Sequence, residues 1–497
     1  MSKTKFLIVG TGFGGIEMAV ALQKAGIDDY VMLEKGADIG GVWRDNSYPG
    51  CSCDIPSHLY SFSFAPYKGG EKRFPPQRDI LAYLRQVATD FQLWPHVRLN
   101  TAVVQAVFQE DTNRWEVTTS SSETYDTEHV IFAVGQLHRP HFADIPGRKD
   151  FLGPQLHPAV WDHNIDLRDK NIAIIGTGSS AAQMLPSLAS VARSVTLYQR
   201  TPAWILPKPS PNFGRLTRWT LHHLPGAHAL YRTTLSHAAD LLLAPLPRTN
   251  LTSKPLRLAA ETLALCHLHI QVPNRTLRHQ LTPSYPIGTK RILFDSHFYP
   301  ALSRPNVHLV TDPISHITPT DIVTTTTANG AHHPADIIIF ATGFKASEFL
   351  APISILGRNG RSLSAEWACG GEAFLGVAMH GYPNAFVIAG PNSFNPAGSN
   401  PGMKEVQVEF IMRCLKWKGE VGAGAVEVRG EVVEGYKGWL GGRMGGTVWR
   451  DSEVGSWYRH ASGKVTGPWP ASGRRFRKVV RGVSPGEAFE VVGGEGC

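Results

Sequence analysis

Two copies of one pattern, an apolar strand followed by a glycine-rich turn, a helix and a second strand, predict an α/β chain with two Rossmann-like dinucleotide-binding domains. A second observation supports this: Val130–Gly135 (VIFAVG) and Ile337–Gly343 (IIIFATG) both read as buried strands that end in a small residue and a glycine. The third is composition. The 497 residues are 42% hydrophobic and 18% charged, a globular profile that excludes a disordered, collagen-like or coiled-coil chain and implies two or three domains.

The first unit opens on the apolar run Phe6–Val9, passes through Gly10-Thr-Gly-Phe-Gly-Gly15 into a helical stretch to Lys24, and continues with Tyr30–Leu33. That context is what makes a G-x-G-x-x-G motif credible. Gly10 supplies the tight turn, Gly12 lets backbone approach a pyrophosphate, and Gly15 lets the helix pack closely. The helix N-terminus adds N–H groups and a favourable dipole. The second unit repeats the plan with Asn171–Ile175, Gly176-Thr-Gly-Ser-Ser-Ala181, a helix running past Leu188 and the strand Ser194–Tyr198. Ala in the last turn position is allowed by the pattern. Expected contacts are therefore Gly10, Gly12, Phe13 and Gly15 in one turn. In the other they are Gly176, Thr177, Gly178, Ser179, Ser180 and Ala181.

The residues that close the second strands separate the two ligands. Glu34 lies 19 residues after Gly15, and Arg200 lies 19 after Ala181. A carboxylate at this place hydrogen-bonds a ribose with free hydroxyls, whereas a guanidinium suits a ribose carrying a 2′-phosphate. Unit one should hold an adenosine without that phosphate, as in FAD or NAD. Unit two should hold NADPH, with Thr201 as a second donor. A solvated surface Arg is the plain alternative for Arg200.

Domain limits follow. Residues 1–145 form the first part of the domain that holds FAD or NAD and 146–335 the NADPH-binding domain, with a helical insertion over about 210–282. Residues 336–497 return to the first domain. Within the insertion, Phe213–Gln280 is rich in Leu, His and Arg at helical spacing, with Pro breaks. After about residue 418 the chain is Gly-rich and predicts no clear element, and Arg474–Arg481 (RRFRKVVR) reads as a solvated face or an anion-facing strand. The net charge of +8 admits nucleic acid, a membrane surface or a phosphorylated small molecule as partner until the excess is located. Six Cys without regular spacing form no disulfide framework, no apolar run approaches the ~20 residues of a membrane span, and no signal peptide is evident, so a cytoplasmic location is expected. The His are scattered without ligand spacing, and no metal site is expected.

Three further segments carry a family resemblance. Gly40–Phe64 (GGVWRDNSYPGCSCDIPSHLYSFSF) looks like the flavin-contacting segment of the class B flavoprotein monooxygenases. Phe151–Asp162 (FLGPQLHPAVWD) fits F-x-G-x-x-x-H-x-x-x-W-[P/D], the fingerprint of the Baeyer–Villiger monooxygenases. Gly288-Thr-Lys-Arg291 matches the segment that carries that family's active-site Arg. The resemblance implies a cycle in which NADPH reduces FAD, reduced flavin and dioxygen give a peroxyflavin, and this converts a ketone to an ester or lactone. It implies that Arg291 sits over the flavin and that Asp54 partners it. Lys290 would help bind the 2′-phosphate. Val42, Trp43, Asp45, Ile55 and Tyr60 would border the flavin, and Val103 would offer backbone contacts to the adenine. For His157 a structural role leads. The plain alternatives are a solvated Lys290-Arg291 pair, a turn-forming Asp54 and core aromatics at Trp43 and Tyr60. A related reading is a flavin-containing monooxygenase that oxygenates sulfur or nitrogen, or hydroxylates a small organic substrate. A flavin disulfide reductase needs a redox Cys pair, and Cys51-Ser-Cys53 has the wrong spacing.

Overall fold

The computed structural model of the chain describes residues 1–67, 72–209, 212–325 and 330–492. Its larger sheet runs in the order Ser354–Leu356, Val103–Gln109, Arg114–Thr119, Thr124–Phe132, Ser2–Val9, Tyr30–Leu33, Val97–Arg98, and Ala385–Val387 also pairs with Thr124–Phe132. Ser2–Val9 is parallel to both neighbours, Phe6 facing Tyr30 on one side and His129 on the other. All four residues of Tyr30–Leu33 are buried, as expected for a strand covered on both faces. The Phe13–Lys24 helix covers one face and lies along the Asn400–Glu420 helix. The C-terminal part of the chain thereby closes over the first unit.

The smaller sheet is wholly parallel, in the order Val307–Val310, Ser194–Tyr198, Asn171–Ile175, Ile337–Phe340, Gln155–Leu156. Its register aligns Ile339 with Ile174. A domain limit at 336 therefore falls one strand early: Ile337–Phe340 belongs to the second sheet, and the chain returns to the first only after it. Adjacency in a parallel sheet is a long-range choice that the local apolar run does not encode.

The insertion is helical over Arg215–His223, Ala227–Leu242, Lys254–Gln271 and Arg275–Leu281. The C-terminal region departs from expectation. Gly430–Met444 is a helix despite its glycines, and Gly473–Arg481 is a helix rather than a strand. In the first, Val432, Val433, Tyr436, Trp439 and Leu440 pack on the core at helical spacing. In the second, Phe476 and Val480, four apart, are both buried. Among the described residues, no helix is long and apolar enough to cross a membrane.

A candidate active site between two nucleotide cradles

Each glycine turn has the geometry of a dinucleotide cradle. Gly10 adopts φ +102°, and a Cβ there would come 2.8 Å from the Ala133 carbonyl oxygen. Gly176, at φ +110°, would meet the Ala341 carbonyl oxygen at 2.5 Å. Both strands that end in small residues therefore press on a turn, and only glycine fits. A Cβ on Gly15 would lie 1.9 Å from the Gly10 carbonyl oxygen, which is the close helix packing expected of it. Gly12 and Gly178 cap their helices with no side-chain bond, leaving the first-turn N–H groups for an anion. Thr177 Oγ1 donates to the Thr201 carbonyl at 3.3 Å, tying the second turn to the loop after Tyr198. Ser179 and Ser180 open the Ser179–Leu188 helix, and Ala181 is buried inside it.

Glu34 is buried, and four donors reach its carboxylate. Oε2 accepts from the Thr11 N–H at 3.0 Å and the Thr11 hydroxyl at 2.7 Å. Oε1 accepts from the Gly36 N–H at 2.9 Å and Arg44 at 2.7 Å. The Arg44 side chain, 15% exposed, also donates to the Asp38 carbonyl at 2.6 Å. Arg44 also binds Asp45, so Asp45 faces Arg44. Sequence reasoning missed Arg44. The signal was its place directly after Trp43 in the GGVWRDN segment. Val103 is buried where it opens the Val103–Gln109 strand.

Arg200, which follows the Ser194–Tyr198 strand, and Lys290 lie close enough for their charges to interact. Burial and the Arg200 guanidinium push the Lys290 ammonium down to about 8. Two cations held together at this cost suit a dianion between them, which is the requirement of a 2′-phosphate.

The expected pairing of Asp54 with Arg291 is formed. Arg291 donates to Asp54 through Nη2 at 2.7 and 2.9 Å and through Nε at 3.2 Å, across 237 residues of sequence. Burial opposes the guanidinium charge, but the Asp54 carboxylate more than offsets it and raises the Arg291 pKa above its ordinary value. The guanidinium also lies 5.7 Å from the Phe394 ring centroid. Nearby, Trp43 Nε1 donates to the Tyr60 hydroxyl at 3.1 Å, and the Phe13 ring meets Tyr60 edge-on at 5.1 Å. Ile55 N–H donates to Cys53 Sγ at 3.4 Å, which fixes the backbone just past Asp54. Lys290 and Tyr458 line a narrow cavity of about 30 Å³, together with Leu243, Phe294 and Trp449. The Tyr458 hydroxyl is buried and has no hydrogen-bond partner among the described residues. Phe394, which sequence reasoning did not single out, forms one ring cluster beside Arg291 with Trp457 and Tyr458.

His157 of the fingerprint is buried. Its Nε2 bonds the Gly343 carbonyl at 2.9 Å and its Nδ1 accepts from the Ala159 N–H at 3.1 Å. Those partners fix the neutral Nε2–H tautomer, and burial pushes its pKa down to about 4. It straps the fingerprint loop to the turn after Ile337–Phe340.

Residues 7–231 match the family profile described as pyridine nucleotide-disulphide oxidoreductase. Over 482 residues the chain is 38% identical to a Baeyer-Villiger monooxygenase of Streptomyces coelicolor, covering 97% of this chain and 91% of that one. The chain belongs to the Baeyer–Villiger monooxygenase family. Among solved structures of similar fold, cyclohexanone monooxygenase from Rhodococcus sp. Phi1 bound to NADP⁺ superposes with a TM-score of 0.88 at 26% identity, over 99% of both chains. The OTEMO complex with FAD and NADP gives a TM-score of 0.87 at 25% identity, over 98% of this chain and 99% of that one. Membership in the Baeyer–Villiger family fits the thiols as well as the fold. Burial raises Cys51 to about 12 and raises Cys53 further, so neither is the thiolate that disulfide reduction needs.

Proposed function

We propose that this protein is an NADPH-consuming, FAD-dependent Baeyer–Villiger monooxygenase that inserts one oxygen of dioxygen beside the carbonyl of a small-molecule ketone, giving an ester or lactone. The observation that carries the reading is the bidentate Asp54–Arg291 pair, set in a family member with two dinucleotide cradles. Bound FAD, once reduced by NADPH, supplies the oxygen chemistry. The chain supplies placement and charge. Gly10, Gly12 and Gly15 hold the first pyrophosphate, and Gly176, Gly178 and the Ser179–Leu188 helix hold the second. Arg200 and Lys290 clamp the 2′-phosphate. Arg291 cannot lose its proton and keeps a cation beside the anion that develops on oxygen, while Asp54 fixes the plane of its guanidinium. Cys51, Cys53, Cys266, Cys369 and Cys414 are free thiols, which supports placing the reaction in the reducing cytoplasm.

Arg291→Ala is the direct test. Bleaching of the flavin by NADPH should survive while ester formation is lost. Ester formation by Arg291→Ala at the parent rate would overturn the role. A panel of ketones and thioethers, read by product mass, separates this reaction from heteroatom oxygenation.

A further inference from the structure

The positive charge of the chain is concentrated in its helical insertion. Between Phe213 and Leu281 there are eight Lys or Arg against two Asp or Glu, a local excess of six within a net +8. Both acids are spent inside the protein. The Asp240 carboxylate accepts the Gly473 and Arg474 N–H groups at 2.8 and 2.9 Å, and Glu261 accepts the Ile287 N–H at 3.1 Å.

The same segment is where apolar side chains face water. Of eighteen large apolar side chains exposed among the described residues, ten fall between Leu216 and Ile270. On the Ala227–Leu242 helix, Leu230 is 70% and Leu241 71% exposed. The outward stripe that joins them carries Thr234 and His237 and no Asp, Glu, Lys or Arg. Leu216, Trp219 and Leu224 extend the apolar surface along the preceding helix, which packs against this one. A water-facing helix surface without full charges is unusual in a free-standing globular protein and marks an interaction face.

A basic helix lies directly beside it. The Asp240 bonds seat the start of Gly473–Arg481 next to the exposed pair Leu241–Leu242. Arg474, Arg475, Arg477 and Lys478 are exposed there and make no ion pair among the described residues, whereas Arg481 is held by Glu409 at 2.8 Å.

We infer that the Arg215–Leu242 helices and the Gly473–Arg481 helix form a peripheral docking face for an anionic lipid bilayer, the leucines and Trp219 entering the headgroup boundary and the arginines meeting anionic headgroups. Charge decides the occupant. A second copy of this chain on a two-fold axis would set the same basic surface against itself, whereas an anionic bilayer complements it.

The test uses the full-length, FAD-loaded protein in sedimentation with vesicles of phosphatidylcholine alone and of phosphatidylcholine with roughly 30% phosphatidylglycerol. The parent should sediment with the anionic vesicles and remain free of the neutral ones, and high salt should weaken binding. Leu230→Ser with Leu241→Ser, and Arg475→Glu with Arg477→Glu, should each weaken binding by about tenfold or more. Flavin content and NADPH oxidation should stay at parent levels. Failure of the parent to sediment with anionic vesicles overturns the inference, as does binding that the serine pair leaves intact. A parent dimer that the serine pair turns into monomers, with no vesicle binding, assigns the face to a second copy instead.

Discussion

If Lys290 clamps the 2′-phosphate as proposed, this one side chain sets both cofactor preference and pH dependence. Burial and Arg200 bring its pKa down to about 8, so the free enzyme carries both cations below that pH and only Arg200 above it. On the proposed clamp, a bound 2′-phosphate would favour the charged form, so affinity for NADPH should be full below about 8 and fall as pH rises through it. NADH lacks the phosphate and escapes this limb. The ratio of kcat/KM for NADPH to that for NADH should therefore drop by about tenfold between pH 7 and pH 9.5. Lys290→Met should lower the ratio at pH 7 and abolish its pH limb; a limb unchanged in Lys290→Met would assign the titration to another group. At the same scale, Asp54→Asn keeps the shape but removes the charge that holds Arg291. More of the NADPH consumed should then end as hydrogen peroxide and less as ester, measured as product formed per NADPH oxidised.

Individual elements were legible in the sequence where their signal is local. The strand–glycine–helix units around Gly10 and Gly176 could be read because a φ above +100° and a backbone contact under 3 Å both demand glycine. Asp54 and Arg291 were reached through family resemblance, since no local pattern links residues 237 apart. The place of Ile337–Phe340 in the second sheet was hidden for the same reason. The Gly430–Met444 helix was obscured differently: four interior glycines masked an apolar spacing that was present all along. Its structure requires none of them. A Cβ on Gly435, Gly438, Gly441 or Gly442 meets no atom within 4 Å. Replacing Gly435, Gly438 and Gly441 together by Ala should stabilise the protein by roughly 0.5–1 kcal/mol per site, chiefly by restricting the unfolded chain. Thermal or denaturant unfolding of the flavin-loaded protein would show this, and unchanged NADPH oxidation would show that the helix lies apart from the chemistry.

For the whole molecule, two nucleotide cradles on separate sheets must keep a fixed spacing for a hydride to cross between them. The Tyr48–Asp54 segment, which follows the first cradle, is stitched to the helix of the second by one side chain. Gln183 Oε1 accepts from the Tyr48 hydroxyl at 2.8 Å and the Ser52 N–H at 3.3 Å, and Gln183 Nε2 donates to the Ser52 carbonyl at 2.9 Å. Gly50, at φ +83°, packs so closely on the Gln183 carbonyl that a Cβ would come within 2.2 Å of its oxygen. Lys208 adds a bond to the Cys53 carbonyl at 3.4 Å, and Arg291 closes the series on Asp54. Gln183 itself lies outside both glycine turns and the Arg200–Lys290 pair, so its substitution should leave binding of both cofactors near parent affinity. What it controls is their mutual placement, where a shift of about 1 Å costs as much as a hundredfold in rate. Gln183→Ala should therefore slow flavin bleaching by bound NADPH, by roughly tenfold or more in single-turnover mixing. The conservative Gln183→Glu keeps an acceptor for Tyr48 but loses the donor to Ser52, and should fall between the two. A Gln183→Ala protein that unfolds more readily yet bleaches at the parent rate would reduce the strap to a purely structural contact.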